Sequence, residues 1–333
     1  MFEPRKHQAP TARLWSLLSP LGAYAPIGLL FLVGLPMLSL SRIALMLWQW
    51  DRVAATGIWP DMLLQGVRVD IIQLSLLGLP LLLLAPVLAM HRTWRFWRVL
   101  SRYWVVLSVA LLALLEMASP AFINEYDSRP NRLFVEYLKY PAEVFPMLWN
   151  GFRLHLVGGT LATTFVVWAM VRLTRAWLTV APSWSRLKLW LTWPLLALLA
   201  LVAIRSSFDH RPANPALFAL TNDAMVNTLI LNSTWSVAHA IYGMKHEARS
   251  SEIYGSMKER DILQQVQATR QLLQDTRPLL GDKDIPTLTD QKASIRRERP
   301  LNLVIILEES LGATFVESLG GVPVTPEIEK LKE

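Results

Sequence analysis

Five long apolar runs interrupt the first two-thirds of this sequence, each near the length a helix needs to cross a bilayer. They extend from Leu21 to Leu40, Ile71 to Met90, Tyr103 to Ala118, Leu154 to Val171 and Leu189 to Ile204. A hydrocarbon core about 30 Å thick takes about 20 residues of helix, with a lower limit of about 17. Hydrocarbon offers backbone N–H and C=O groups no partner, so each run must close its own hydrogen bonds as a helix. The last three runs are short and must borrow flanking residues. The first is too long for the core of a secretion signal, and no convincing small-residue cleavage site follows it, so it reads as an uncleaved anchor.

Composition matters here through its distribution. The 333 residues are 53% hydrophobic, little above a soluble protein, yet the last third reads as ordinary soluble sequence. The pattern predicts a five-span membrane domain over residues 1–205. Juxtamembrane helices and a linker follow over 206–300, and a further domain begins at 301–333.

The loops predict the orientation. Arg92, Arg95, Arg98 and Arg102 follow the second run, and Arg172, Arg175, Arg186 and Lys188 follow the fourth, with no acid in either loop. The other two loops are longer and balanced: Arg42, Arg52 and Arg68 face Asp51, Asp61 and Asp70, and Arg129, Arg132, Lys139 and Arg153 face Glu125, Asp127, Glu136 and Glu143. Basic residues concentrate on the cytoplasmic side. The N-terminus is therefore predicted in the cytoplasm and everything after Ile204 outside. The net charge of +7 is explained by this bias and points to no nucleic-acid partner. The absence of cysteine excludes disulfides and thiolate metal sites. Of 14 tryptophans, Trp48, Trp50, Trp59, Trp94, Trp97, Trp104, Trp149, Trp177 and Trp190 lie near run ends. Interfacial belts sit there, and core packing accounts for some.

Between runs three and four, Leu133, Phe134, Tyr137 and Leu138 recur at helical spacing, and Val144, Phe145, Leu148 and Trp149 resume the pattern after Pro141. One or two amphipathic helices near 130–150, lying at the outer interface, are predicted. Arg129, Arg132 and Lys139 beside them become candidates for holding anionic lipid headgroups. Glu116, near the outer end of the third run, and His155, at the start of the fourth, read as interfacial residues. His210 and Arg211 could meet a lipid phosphate or shape a membrane-proximal turn. Asn232-Ser233-Thr234 matches a glycosylation sequon, to which a bacterial-style membrane protein gives little meaning. A polar helix is predicted from about Glu247 to Gln274, with Ile262, Val266 and Leu273 on one stripe.

Leu301 to Leu307 is an apolar run broken only by Asn302, the length of a buried parallel strand. Glu308, Glu309 and Ser310 follow at its carboxyl end, where ligand sites lie in open α/β sheets. Two carboxylates there suit a hard divalent cation, although adjacent glutamates after a strand more often form a solvated turn. Thr325-Pro326-Glu327 reads as a helix start with Thr325 as N-cap, and Ile328 and Leu331 would face a core.

The run Asn302-Leu-Val-Ile-Ile-Leu-Glu-Glu-Ser-Leu-Gly312, then Leu319-Gly-Gly321, then Thr325-Pro-Glu-Ile-Glu-Lys-Leu331 resembles the first strand, metal-ligand turn and next helix of the alkaline phosphatase/sulfatase superfamily. Glu125 to Pro141 (EYDSRPNRLFVEYLKYP) and His210-Arg-Pro-Ala-Asn-Pro215 extend this. The chain resembles, over most of its length, the lipoteichoic acid synthase-like membrane phosphoglycerol transferases in their Gram-negative form. The resemblance implies a bacterial inner-membrane protein with an extracytoplasmic sulfatase-like α/β domain. It places Glu309 at the family's metal-ligand position and implies manganese as cofactor. It further implies phosphatidylglycerol as donor, diacylglycerol as leaving group and a glycan or polymer acceptor. The family's nucleophilic threonine and remaining ligands belong to segments later than Glu333. The chain is therefore expected to begin that domain without completing it and to be inactive alone. Two alternatives stay open: a phosphoethanolamine transferase, and a non-catalytic lipid-binding regulator.

Overall fold

The computed structural model describes residues 10–182, 184–207, 210, 212–247, 257–272, 277, 280, 287–290, 299, 304–305 and 311–331. The chain divides into two units, Met1–Tyr254 and Gly255–Glu333.

The first unit contains five helical segments long and apolar enough to cross a membrane: Leu14–Trp48, Trp59–Leu88, Trp94–Tyr126, Arg153–Thr179 and Arg186–Arg205. A short α1 (Pro10–Leu18) leads through a 3-10 turn into α2 (Ala25–Trp48). Gly22 makes that turn possible with φ of +55°, and a Cβ added there would lie 2.4 Å from the Trp184 ring. After α3 (Trp50–Thr56) come α4 (Trp59–Leu88) and α5 (Trp94–Tyr126), then the short α6 (Arg132–Tyr137) and α7 (Pro141–Gly151). The last long helices are α8 (Arg153–Leu173) and α9 (Arg186–Arg205).

Helix α2 packs between α4 and α5, while α8 lies against α5 and α9 against α4. Half of the most apolar stretch of α4 is buried, against 6% for α8 and α9. The outer pair therefore presents nearly its whole surface outward, as lipid-facing helices do. Lipid tails are as apolar as leucine, so helices associate through packing and hydrogen bonds, each bond contributing about 0.6–2 kcal/mol. Tryptophans supply many of these bonds. Indole N–H groups of Trp15, Trp94, Trp104 and Trp193 donate to the carbonyls of Leu173, Val180, Leu77 and Leu82 at 2.7–3.0 Å. Trp94, Trp97 and Trp177 are buried core, whereas Trp48, Trp50, Trp59, Trp149 and Trp190 are exposed. The predicted belt thus divides into two roles that position along the sequence does not separate.

Helices run well past the apolar runs. The balanced loop expected between the first two runs is mostly helix: Arg42 lies within α2, and Arg68 and Asp70 lie within α4. Glu116 lies within α5 and is 3% exposed, not a solvated end residue. Backbone hydrogen bonding continues wherever charged side chains find partners inside the bundle, and composition alone does not show those partners.

The described residues of 206–247 close one end of the bundle, here called the cap end. A 3-10 turn (Pro215–Phe218), α10 (Ala224–Ile230) and α11 (Ser233–Glu247) pack there. Phe218, Met225, Leu229, Ile230 and Trp235 form one apolar cluster with Leu45, Met62, Val69 and Ile123 of the long helices. Asp223 starts α10 by accepting the Val226 N–H at 3.1 Å, and Asn232 starts α11 by accepting that of Trp235 at 2.8 Å.

In the second unit, α12 (Glu259–Leu272) carries Ile262 and Val266, and α13 (Pro326–Lys330) follows two 3-10 turns. No β-strand occurs among the described residues. Of the predicted strand 301–307, only Val304 and Ile305 are described, and both are 78% exposed. A parallel strand is buried only between neighbouring strands and covering helices, and the described residues supply neither. Thr325 precedes α13 but does not cap it; its hydroxyl donates to the Phe315 carbonyl at 2.7 Å. Leu331 is 87% exposed rather than core-facing.

Candidate functional site

Polar chemistry in the first unit concentrates at the cap end, built from residues of four long or capping helices. Two buried arginine–carboxylate pairs anchor it. Arg42 of α2 donates to both oxygens of Asp70 of α4, at 2.8 and 2.7 Å, with side chains 1% and 0% exposed. Its Nε donates to the Ile230 carbonyl at 3.2 Å, and Asn232 donates to Asp70 Oδ1 at 3.1 Å. Gly66 makes the room: a Cβ there would sit 2.3 Å from Arg42 Nε. The pair thus joins two spans to the capping segment. Asn232, 1% exposed, is committed to this network and to the α11 start, so the sequon reading does not apply to it.

The second pair joins Arg129 to Glu116 of α5. Arg129 Nη1 donates to both Glu116 oxygens at 2.9 and 2.8 Å and to Ser233 Oγ at 3.1 Å. Glu116 also accepts from the Ser41 hydroxyl at 2.5 Å and the Ser233 N–H at 2.9 Å. Ser119 and Ser233 share a 2.5 Å hydroxyl contact. Every lone pair of this carboxylate that faces protein is used, which is what lets a charge remain buried. Arg129 itself is not fully used: its Nε and Nη2, both buried, have no protein partner.

Two cavities open on opposite sides of α6. One is an apolar recess of about 220 Å³ between α5, α6, α7 and α8, lined by Ala121, Phe122, Phe134, Tyr137, Leu148 and Leu156 among others. His155 sits at its wall. The Tyr126 and Tyr137 hydroxyls meet at 2.6 Å across α5 and α6. The other cavity is polar, about 490 Å³, and includes Arg129, Asn131, Arg132, Glu136, Ser236 and His239. Leu133 and Glu136 line the polar side of α6, and Phe134 and Tyr137 the apolar side, an amphipathic helix used as a partition.

A third charge cluster is more exposed. Arg52 donates to Asp223 at 2.8 and 2.9 Å and to Asp127, the closer contact being 2.5 Å. Hydrogen bonding from Arg52 holds the Asp223 carboxyl below its ordinary value, against a smaller opposing effect of burial.

Of the headgroup candidates read from sequence, Arg129 and Arg132 come together at the polar cavity. Arg132 is exposed and pairs with Glu136 at 2.7 Å. Lys139 is exposed and borders neither cavity. Glu308, Glu309 and Arg211 lie outside the described residues. Among the described residues, no three His, Asp or Glu side chains gather as a metal site. These residues supply no donor set for manganese. The Arg42–Asp70 pair, Asn232, Ser233, Ser236 and His239 were not read as site residues. Asp70 abutting an apolar run was the one available signal, since ionisable residues within spans are functional by default.

No family model matches the chain, and no solved structure matches it significantly.

Proposed function

We propose that this chain is the membrane-embedded phospholipid-binding part of a transferase. The transferase moves phosphoglycerol from a lipid such as phosphatidylglycerol to an extracytoplasmic glycan or polymer acceptor. The observation that carries the lipid reading is the apolar recess beside α8, a helix that faces outward along its length. A recess walled by aromatic and aliphatic side chains holds part of an acyl chain through close packing contacts, since the tail is already out of water in the bilayer. The transferase reading rests on the resemblance of Asn302–Leu331 and Glu125–Pro141. In it, Glu309 holds part of a manganese site whose ion would polarise a phosphoryl oxygen. The bacterial inner membrane rests on the same resemblance, and the cytoplasmic N-terminus on the basic loops.

The test has two arms. Phosphatidylglycerol labelled in its headgroup glycerol is supplied to membranes containing the full-length protein, and release of diacylglycerol is followed with and without Ala121→Trp. The substitution places an indole in the recess. Labelled polymer with diacylglycerol release, lowered by Ala121→Trp, supports the reading. Transfer from phosphatidylethanolamine labelled in its headgroup, supplied in parallel, with none from phosphatidylglycerol would make it a phosphoethanolamine transferase. Lipid retention without any turnover would leave a non-catalytic lipid-binding protein.

A further inference from the structure

The polar cavity on the far side of α6 holds a buried cation with an idle edge. Arg129 is 1% exposed. Its Nη1 serves Glu116 and Ser233, which leaves the Nε–Nη2 edge, and neither of these nitrogens meets a protein acceptor. A buried donor left unpaired destabilises the fold, a charged one most of all, so this edge calls for an acceptor from outside the chain. That edge presents parallel N–H groups, the fork that guanidinium offers to phosphate or carboxylate. The Ser236 hydroxyl, another lining residue, is likewise buried without a partner. His239 stands beside it, stacked on Trp235 at 5.5 Å, and burial lowers its pKa, which makes it a neutral hydrogen-bonding ring at pH 7.

Size and charge narrow the ligand. A volume of about 490 Å³ exceeds by far the roughly 30 Å³ of one water and falls in the about 300–1,000 Å³ range of small-molecule sites. The unspent groups are donors, which excludes a metal cation. The charges facing the space are Arg129, Arg132 and Glu136, with Glu116 directly behind Arg129. These sum to zero, so every added negative charge is uncompensated and a dianion is disfavoured most. A singly charged oxyanion with two accessible oxygens matches the edge at the smallest charge imbalance.

We propose that this cavity binds a phosphodiester, the headgroup phosphate of a membrane phospholipid, received side-on by Nε and Nη2 of Arg129 and supported by Ser236 and His239. The proposal rests on the lipid-binding reading and gives it a headgroup site: α6 divides the acyl recess from the phosphate cavity. An inorganic phosphate could use the same donors, although it carries more charge than the cavity balances.

The test uses the full chain purified in detergent, with bound species resolved by native mass spectrometry. The probes are phosphatidylglycerol, diacylglycerol without a phosphate, and inorganic phosphate. Two variants report on the site. Ser236→Leu fills the cavity and leaves the Arg129–Glu116 pair intact. Arg129→Gln combined with Glu116→Gln removes the fork without stranding a buried charge. The wild type should retain phosphatidylglycerol over diacylglycerol, and each variant should weaken that preference by about tenfold or more, the worth of a charge-assisted hydrogen bond. Displacement of the lipid by inorganic phosphate would keep the oxyanion site and assign it to a free ion. Equal retention of both lipids by the wild type, or an undiminished preference in folded Ser236→Leu protein, would overturn the proposal and leave the cavity to water. Ala121→Trp separates the two readings: unchanged retention of both lipids in that variant defeats the acyl recess and leaves the phosphate site standing.

Discussion

Replacing Arg42 by methionine should be among the most damaging single changes in the bundle. The guanidinium is 1% exposed and meets an Asp70 carboxylate that is fully buried, with two bonds of 2.8 and 2.7 Å. Removing one partner leaves the other charge uncompensated, a loss of about 3–5 kcal/mol. At about 2–4 °C per kcal/mol for a unit of this size, melting should fall by about 6–20 °C. The Ile230 carbonyl also loses its donor, so the capping helices should loosen with the spans. The double variant Arg42→Met with Asp70→Leu replaces the pair with apolar volume, which elsewhere is neutral or stabilising by about 1–4 kcal/mol. Its deficit should shrink to about 1–2 kcal/mol, left by the Ile230 carbonyl and by the Asn232 amide, which loses its acceptor only when Asp70 is replaced. Gly66→Ala tests the seat of the pair, because its Cβ would collide with Arg42 Nε at 2.3 Å; overpacking of this kind costs about 1–3 kcal/mol. Detergent-solubilised protein would be melted by intrinsic fluorescence for all four variants, Asp70→Leu alone included. Single-variant losses that simply add in the double variant would refute the argument, since coupling is the signature of a pair.

Two further outcomes are expected. Arg52 lowers the Asp223 pKa, so the interaction stabilises the fold above the ordinary aspartate value of about 4 and is lost as pH falls through the depressed one. Because Arg52 is 39% and Asp223 25% exposed, Arg52→Gln should cost only about 0–1 kcal/mol near pH 7. That gap should close in acid melts, and a gap constant with pH would contradict it. A reporter active only outside the cytoplasm should work when fused after Arg249 and stay silent after Arg98; the reverse pattern would defeat the predicted orientation.

Much of the membrane plan was legible in the sequence. Hydrocarbon forces every backbone group to pair within its own segment, so a run near 20 apolar residues is already a helix. The same holds locally: Asn131 before Arg132–Tyr137 and Pro141 opening the next helix are signals carried by neighbouring residues. What the tertiary structure alone decided is which charges meet. Arg42 and Asp70 are 28 residues apart, and Ser233 reaches Glu116 across 117. Counting charges loop by loop treats them as solvated, whereas helix packing brings them together in a place without water. The Arg129 fork follows the same rule. Its sequence neighbours mark it as one more basic residue of a balanced loop. Only the fold buries it against Glu116, uses one edge and leaves the other without a protein partner, because hydrogen-bond satisfaction depends on partners that chain order does not record.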